Sequence, residues 1–226
     1  MDRYIYMLLS LSLLSVWLVN FLFLKNVLRK IIIKISIIGG LAGIISEFWY
    51  FKDYWDPPSL LGNTKFLLED FLFGFAFTGI AATIYKVVFR KESKDIIIKG
   101  RKKLFFIFFV IGIFSLLLFN NLLKINSIFV SSFTVLIFSL IIILIRRDLI
   151  FQSIMSGILS LLIIIPIYVL IFNLISPTFW DKYWLLANTT FGAKVIGNIP
   201  LTELHWYFSW GCFAGIAYDF YHGSKG

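Results

Sequence analysis

The chain has 226 residues, of which 60% are hydrophobic and 15% are charged, and its mean hydropathy is +0.91. A soluble domain of this size cannot bury so much apolar surface, so the composition excludes an ordinary soluble protein and favours an integral membrane protein. The single cysteine, Cys212, excludes a disulfide framework and a metal site built from thiolates.

Seven stretches of the chain are long and apolar enough to cross a membrane as helices. A helix needs about 20 residues to span a hydrocarbon layer roughly 30 Å thick. In chain order the predicted spans are Tyr4–Leu24, Ile31–Phe51, Phe66–Phe89, Leu104–Leu123, Ser127–Ile145, Leu149–Ile175 and Pro200–Tyr221. The sequence therefore predicts an all-α, polytopic membrane protein with seven transmembrane helices.

The basic residues predict the orientation of these helices. Most of the 21 lysines and arginines follow the first, third and fifth predicted spans, in groups that include Arg29, Arg90 and Arg146. Because cytoplasmic loops are enriched in Lys and Arg, we expect the N-terminus outside and the C-terminus in the cytoplasm, in the cell (plasma) membrane. The net charge of +9 then reflects topology and contact with anionic membrane lipid, and no nucleic-acid partner is expected.

Two regions of the sequence are similar to each other. The tetrapeptide KDYW at Lys52–Trp55 parallels DKYW at Asp181–Trp184, and the segment Leu61–Phe75 parallels Ile196–Trp210. Since the first three and last three spans run in the same direction, this similarity predicts two parallel three-helix repeats joined by a linker helix. Within a single membrane domain, 1–226, the first repeat is placed at 1–90, the linker helix at 104–123 and the second repeat at 127–223.

Four acidic residues lie near the ends of predicted spans on the outer side, namely Glu47, Glu69, Asp70 and Glu203. Ionisable side chains within a membrane are costly and commonly line a site or a pathway, so these four are the predicted catalytic residues. Glu203 and His205 are two positions apart, about 200° around a helix, and therefore point to opposite sides. They are not expected to form an acid–base pair.

Aromatic residues accompany these acids, both in the helices and in the loops nearby. Side chains three, four and seven positions after Glu203 share its helix face, and each of them is a Trp or a Tyr. The predicted substrate-binding residues are Trp206, Tyr207, Trp210, Phe73, Trp49, Trp55 and Trp184.

Carboxyl groups beside aromatic rings favour one kind of chemistry. A carboxyl group in a low-dielectric site holds a proton near neutral pH and can act as a general acid. Aromatic faces stabilise a nearby cation. Together they would protonate an alkene and shelter the resulting carbocation, an isomerisation that requires no metal and no redox cofactor.

A structural interpretation of the same residues is left open. Tyr and Trp are enriched at membrane interfaces, and a carboxylate in the first turn of a helix complements the helix dipole. Asp53 and Asp56 would suit a divalent cation, but the sequence DPP that begins at Asp56 is equally typical of a turn.

With these residues in view, the chain resembles the lycopene cyclase domain family, the membrane-embedded carotenoid cyclases found as paired subunits or fused domains. That family carries a Pro-x-Glu-Glu-x-x-Phe-Phe motif once per three-helix half, and fused forms have seven helices. In the second half, Pro200, Glu203, Trp206 and Tyr207 fit the motif, whereas Thr202 replaces its first glutamate.

In the first half the motif is degenerate as well. Glu69 fits the second glutamate, Phe66 and Leu68 replace the proline and the first glutamate, and Asp70 follows directly. The resemblance implies that Glu203 and Glu69 protonate or position the linear end of a lycopene-type carotenoid, which would cyclise without redox change. It implies a hydrophobic isoprenoid or carotenoid substrate.

Other functions are compatible with the same sequence. A seven-helix transporter or an isoprenoid- or lipid-binding protein without catalysis would also use intramembrane acids, although the fourth and fifth spans contain few polar groups. A metal-dependent prenyl-diphosphate transferase would need aspartate-rich motifs on the cytoplasmic side, where basic residues predominate. Self-association into a homo-oligomer is left open.

Overall fold

The structure is a computed structural model that describes residues 2–60, 62, 68–91 and 101–224, and within these ranges it is mainly helical. The α-helices are α1 (Ile5–Phe23), α2 (Asn26–Asp53), α3 (Leu68–Val88), α4 (Lys102–Ser115), α5 (Ser127–Ile145), α6 (Ile150–Tyr168), α7 (Phe179–Tyr183) and α8 (Leu201–His222). Two short strands, β1 (Lys194–Val195) and β2 (Ile199–Pro200), pair antiparallel just before α8. The predicted all-α class is confirmed.

Less regular turns extend several of these helices. Single 3-10 turns, Asp2–Tyr4 and Arg147–Leu149, precede α1 and α6. Both α4 and α6 continue into π-helical segments, Leu116–Leu122 and Val169–Ile175. Pro166 lies just before the second segment and has no backbone N–H to donate, which favours the change of hydrogen-bond pattern there.

Six helices of the described chain are long and apolar enough to cross a membrane. They correspond to the first six predicted spans. These six helices are compatible with an integral membrane protein. The predicted seventh span corresponds to α8, which has 22 residues but carries many aromatic, small and polar side chains and is not among the six. The count of seven spans therefore stays a prediction.

Some sequence predictions fall on parts of the chain that the structure does not describe. They are the start of the third span at Phe66, residues 61 and 63–67 in the first copy of the repeated segment, and the basic loop at 92–100. The helix that carries Glu69 and Asp70 is described from Leu68 onward.

The helices pack as two groups that meet through α3 and α8. In the first group α3 packs against α1 and α2, and in the second α8 packs against α5 and α6. α3 also contacts α6 and α8, whereas α4 lies at the edge of the bundle against α5 and α8. The division into two three-helix repeats stays a prediction.

Small residues let the helices within each group approach closely. A Cβ atom on Gly43 of α2 would lie 2.5 Å from the backbone oxygen of Asp70 on α3. On α8, a Cβ on Gly211 would lie 2.9 Å from the Cα of Gly157 on α6. The helices of each group therefore lie in close contact at these glycines, and the backbone of Asp70 lies directly against α2.

The two similar tetrapeptides of the sequence meet at one end of the bundle. Trp55 and Trp184 form an antiparallel bridge. Its hydrogen bonds run from the Asp56 N–H to the Tyr183 carbonyl, at 3.0 Å, and from the Leu185 N–H to the Tyr54 carbonyl, at 2.9 Å. The segment after α2 is thereby joined to the segment after α7.

A buried ion pair joins the halves at the opposite end of the bundle. Lys86 Nζ of α3 lies 2.8 Å from Asp219 Oδ1 of α8, and both side chains are buried. Gln152 Nε2 of α6 donates to the other carboxylate oxygen of Asp219 at 2.7 Å. Asp219 therefore joins α3, α6 and α8 at this end of the bundle.

Candidate functional site

The four predicted catalytic acids lie where α2 ends and where α3 and α8 begin. Their side chains are buried, with exposed fractions of 5% for Glu47, 0% for Glu69, 1% for Asp70 and 7% for Glu203. Burying a carboxyl group is costly unless it is hydrogen-bonded or neutralised, so the partners of each acid decide what it can do.

Glu203 is held by two tyrosine hydroxyl groups. Tyr54, just after α2, donates to Oε1, and Tyr168 of α6 donates to Oε2 at 2.6 Å. The Tyr168 and Tyr207 hydroxyls lie 2.9 Å apart, which extends the network along α8. Burial, and then the neighbouring Glu203 carboxylate, hold the pKa of the Tyr54 phenol well above its usual range, so Tyr54 remains a donor.

Asp70 and Glu47 are held by a second pair of side chains. The Tyr6 hydroxyl donates to Asp70 Oδ1 at 2.6 Å, and the Trp55 indole donates to Glu47 Oε2 at 3.2 Å. The Tyr6 and Trp55 rings pack edge to face with their centroids 4.6 Å apart. Glu47 also interacts electrostatically with both Asp70 and Glu203. Three of the four predicted acids therefore form one group.

Glu69 does not join this group. Its Oε1 accepts a hydrogen bond from the Leu60 N–H at 2.7 Å, and its buried Oε2 has no hydrogen-bond partner among the residues described. Consecutive helix residues are about 100° apart, so Asp70 turns toward Tyr6 while Glu69 turns toward the loop after α2. The structure thus differs from the expected pairing of Glu69 with Glu203, since Asp70 is the acid of α3 that lies in the group.

Aromatic rings from α3 and α8 pack beside the acids. Phe77 lies 4.9 Å from Tyr207 and 5.3 Å from Trp206, and Phe73 lies 6.0 Å from Trp206, all between ring centroids. The Trp206 indole donates to the Tyr50 hydroxyl at 2.9 Å, which fixes the plane of the ring. The predicted residues Phe73, Trp206 and Tyr207 are therefore brought together.

The other predicted substrate-binding residues have different surroundings. Trp55 contacts the acid group through its hydrogen bond to Glu47. Trp184 is joined to Trp55 by the backbone bridge, and its ring packs against Trp180 with the centroids 6.3 Å apart. Trp210 lies one turn beyond Trp206, at 5.8 Å. Trp49 is half-buried on α2 and, in the described part of the chain, joins none of these contacts.

The predicted separation of Glu203 and His205 is confirmed. The His205 ring packs against Phe133 of α5 at 5.2 Å between centroids, on the side of α8 away from Tyr54 and Tyr168. Its buried Nε2 has no hydrogen-bond partner within the described ranges. His205 is therefore not part of the acid group.

Sequence inspection alone missed three tyrosines that donate to the acids, Tyr6, Tyr54 and Tyr168. It also missed Tyr50, which accepts the hydrogen bond of the Trp206 indole. Each lies in or beside an apolar span, where a hydroxyl group needs a partner. Tyr168 interrupts a run of aliphatic residues in α6. A single polar side chain in such a run was the sequence feature that could have indicated a buried hydrogen-bonding role.

Two cavities lie near this end of the bundle. One, of about 180 Å³, is lined by Glu47, Phe48, Phe51 and Lys52. The other, of about 420 Å³, is lined by Asp53, Lys124, Ile125, Asn126, Phe129, Leu186 and Phe191. Only the smaller cavity is lined by one of the predicted catalytic acids.

Asp53 has a structural task beside the larger cavity. Its carboxylate accepts hydrogen bonds from the Ser127 hydroxyl, at 2.6 Å, and from the Asn120 amide, so it anchors the start of α5. Asp56 is exposed. Among the residues described, no group of three or more His, Cys, Asp and Glu side chains is arranged to hold a metal ion.

Comparison with protein-family models matches residues 126–221 to lycopene cyclase. The matched range begins just before α5 and ends within α8, so it includes Tyr168, Glu203, Trp206 and Tyr207. The resemblance inferred from the motif residues is confirmed over this range. The comparisons with curated proteins and with solved structures gave no match.

Proposed function

We propose that this protein is a carotenoid or isoprenoid cyclase, an isomerase of the intramolecular lyase type that closes a ring at the linear end of a lycopene-type substrate. The observation that carries the proposal is the meeting of Glu47, Asp70 and Glu203 beside the Phe73, Phe77 and Trp206 rings. The lycopene cyclase match over residues 126–221 supports the same conclusion.

The reaction needs only a proton donor, a shelter for a cation and a proton acceptor. A carboxyl group adds its proton to one carbon of the terminal C=C bond, and the other carbon becomes cationic. A second C=C bond of the chain attacks that carbon, which forms the ring and moves the cation. Loss of a proton from a neighbouring carbon restores a C=C bond, so the product is an isomer of the substrate.

Each part of the site has a role in these reaction steps. The buried carboxyl groups give and take back the proton, and the faces of Trp206 and Phe77 stabilise the cation while excluding water. An ionised carboxylate beside the rings stabilises the positive charge further. No oxidant or reductant enters the balance.

The membrane placement is part of the proposal. The N-terminus lies outside, the C-terminus is cytoplasmic, and the acid group lies toward the outer side of the bilayer. The surrounding lipid then acts as solvent for the substrate, which reaches the site from the hydrocarbon layer. The chain works alone or as a homo-oligomer in this scheme.

Expression in a host that accumulates lycopene tests the proposal. We expect a carotenoid of unchanged mass with ring-closed ends and a blue-shifted absorption spectrum. When purified protein in lipid is assayed in deuterated buffer, each ring closure should add one deuterium to the product, detected by mass spectrometry. Unchanged lycopene in the presence of correctly inserted protein would contradict the assignment.

A further inference from the structure

The acids of the group do not have equivalent surroundings. Glu203 accepts hydrogen bonds from two phenols, and hydrogen bonds to a carboxylate favour its ionised form. Glu47 accepts one bond, from the Trp55 indole, and lies within the electrostatic reach of Asp70. The group therefore contains one carboxylate with two donors that favour its ionised form, and one pair of acids that interact electrostatically.

The helix packing brings Glu47 and Asp70 together. The backbone of Asp70 lies against Gly43, and Glu47 is one turn further along α2 on the same face. Tyr6, which donates to Asp70, packs edge to face on Trp55, which donates to Glu47. Two carboxyl groups in such a buried setting do not both ionise readily, so they hold one proton between them.

Of the three acids, Glu47 is the one that lines the smaller of the two cavities described above. Glu47 lines the cavity of about 180 Å³ together with Phe48 and Phe51. Phe48 is 58% exposed on the outer face of α2, where lipid covers an inserted bundle. A cavity of about 150 Å³ accommodates benzene, so this one suits a single six-membered ring.

We infer that Glu47, paired with Asp70, is the catalytic acid that delivers the proton, and that Glu203 stays ionised and stabilises the cation. This inference rests on the proposed function and assigns the roles within it. The proton leaves a Glu47 carboxyl oxygen for the less substituted carbon of the terminal C=C bond, and the other carbon of that bond becomes cationic. After ring closure, the proton lost from the neighbouring ring carbon returns to the Glu47–Asp70 pair.

The described groups that face this pair come from several parts of the bundle. Tyr6 approaches from α1, Trp55 from the segment after α2, and Glu203 and Tyr207 from α8. Lys52 also lines the cavity, but its amine donates to the side chains of Asn120 and Asn121 at 3.2 and 3.0 Å. Among the ion pairs of the described residues, none includes Glu47.

The test compares Glu47→Gln and Asp70→Asn with Asp181→Asn, an exposed carboxyl that pairs with Lys194. We expect Glu47→Gln to lower kcat by about 100-fold or more, with KM little changed, because it removes the general acid. Glu47→Asp should restore part of the rate. Asp181→Asn should behave as wild type.

Asp70→Asn has a different expected signature. Removing the like charge lets Glu47 ionise more easily, so the fall of activity with rising pH should begin at lower pH than in wild type. A variant that merely damages the fold would lower the rate without moving this midpoint. The amount of folded protein is followed by size-exclusion chromatography in detergent.

An infrared measurement separates this inference from the proposed function. Purified wild-type protein in lipid should show a protonated carboxyl C=O band that Glu47→Gln removes and Asp70→Asn weakens at neutral pH. If no substrate cyclises but this band is present, the cyclase proposal fails and the proton-sharing pair stands. If wild type cyclises lycopene and Glu47→Gln does so at the same rate, the inference is overturned. Assignment of the band to Glu203 would overturn it as well.

Discussion

Buried charged groups have different kinds of partner at the two ends of the helix bundle. At one end Lys86 and Asp219 neutralise each other across α3 and α8, and Gln152 satisfies the second carboxylate oxygen. At the other end three carboxyl groups lie together, and among the residues described their donors include tyrosine hydroxyls and a tryptophan indole.

This difference separates a structural task from a chemical one. The buried ion pair, with Gln152 on its second carboxylate oxygen, fixes how the two halves meet. Several acids held by neutral donors keep protons and negative charge available in a water-poor site, an arrangement that costs stability. Substitutions at the first end should therefore change stability, and substitutions at the second should change reaction rate.

The largest expected effect on stability is at the ion pair. Lys86→Met leaves Asp219 as a buried charge without its cation, which should lower the free energy of unfolding by about 3–5 kcal/mol. Thermal unfolding of the purified protein in detergent measures this change. The rate of cyclisation per folded molecule should stay near the wild-type value.

The matched control removes both charges. In Lys86→Met/Asp219→Leu no buried charge is left unpaired, so most of the lost stability should return. A double variant no more stable than Lys86→Met would mean that the pair is not the reason for the loss. A large fall in rate per folded molecule would break the proposed division between the two ends.

The next effect in size is expected at Glu203. Glu203→Gln keeps the shape of the side chain but removes the negative charge, so kcat should fall by about 100-fold. Stability should change little or rise, because a buried charge is removed. Product formation and thermal unfolding, measured on the same preparation, check both statements.

The sequence was informative where hydrophobicity and spacing decide the structure. Apolar length predicts seven spans, and the first six of them correspond to membrane-compatible helices of the described chain. The helix period also predicts that Glu203 and His205 point apart. These features follow from local geometry that any α-helix shares.

The composition of the site depended on contacts that spacing does not reveal. Glu69 and Asp70 are neighbours in sequence, and only the packing of α3 against α1 shows that Asp70 meets Tyr6. Tyr168 reaches Glu203 from 35 residues away, across α6 and α8. Such long-range hydrogen bonds are set by tertiary packing, so a single sequence does not specify them.

The smallest of these effects is expected at the tyrosines that support Glu203. Tyr168→Phe removes one phenol donor from the carboxylate, and a hydrogen bond to a charged group contributes about 1.5–3 kcal/mol. Because Tyr54 still donates to the other oxygen, we expect only about a tenfold fall in kcat, well short of that at Glu203→Gln. The matched control is Tyr85→Phe, at a buried tyrosine near the Lys86 end, and it should leave kcat unchanged.

Combining Tyr54→Phe with Tyr168→Phe should lower the rate further, toward the value for Glu203→Gln. Equal rates for Tyr168→Phe and Tyr85→Phe would show that the phenols do not support the charge of Glu203, and the contrast between the two ends would then rest on the carboxyl groups alone.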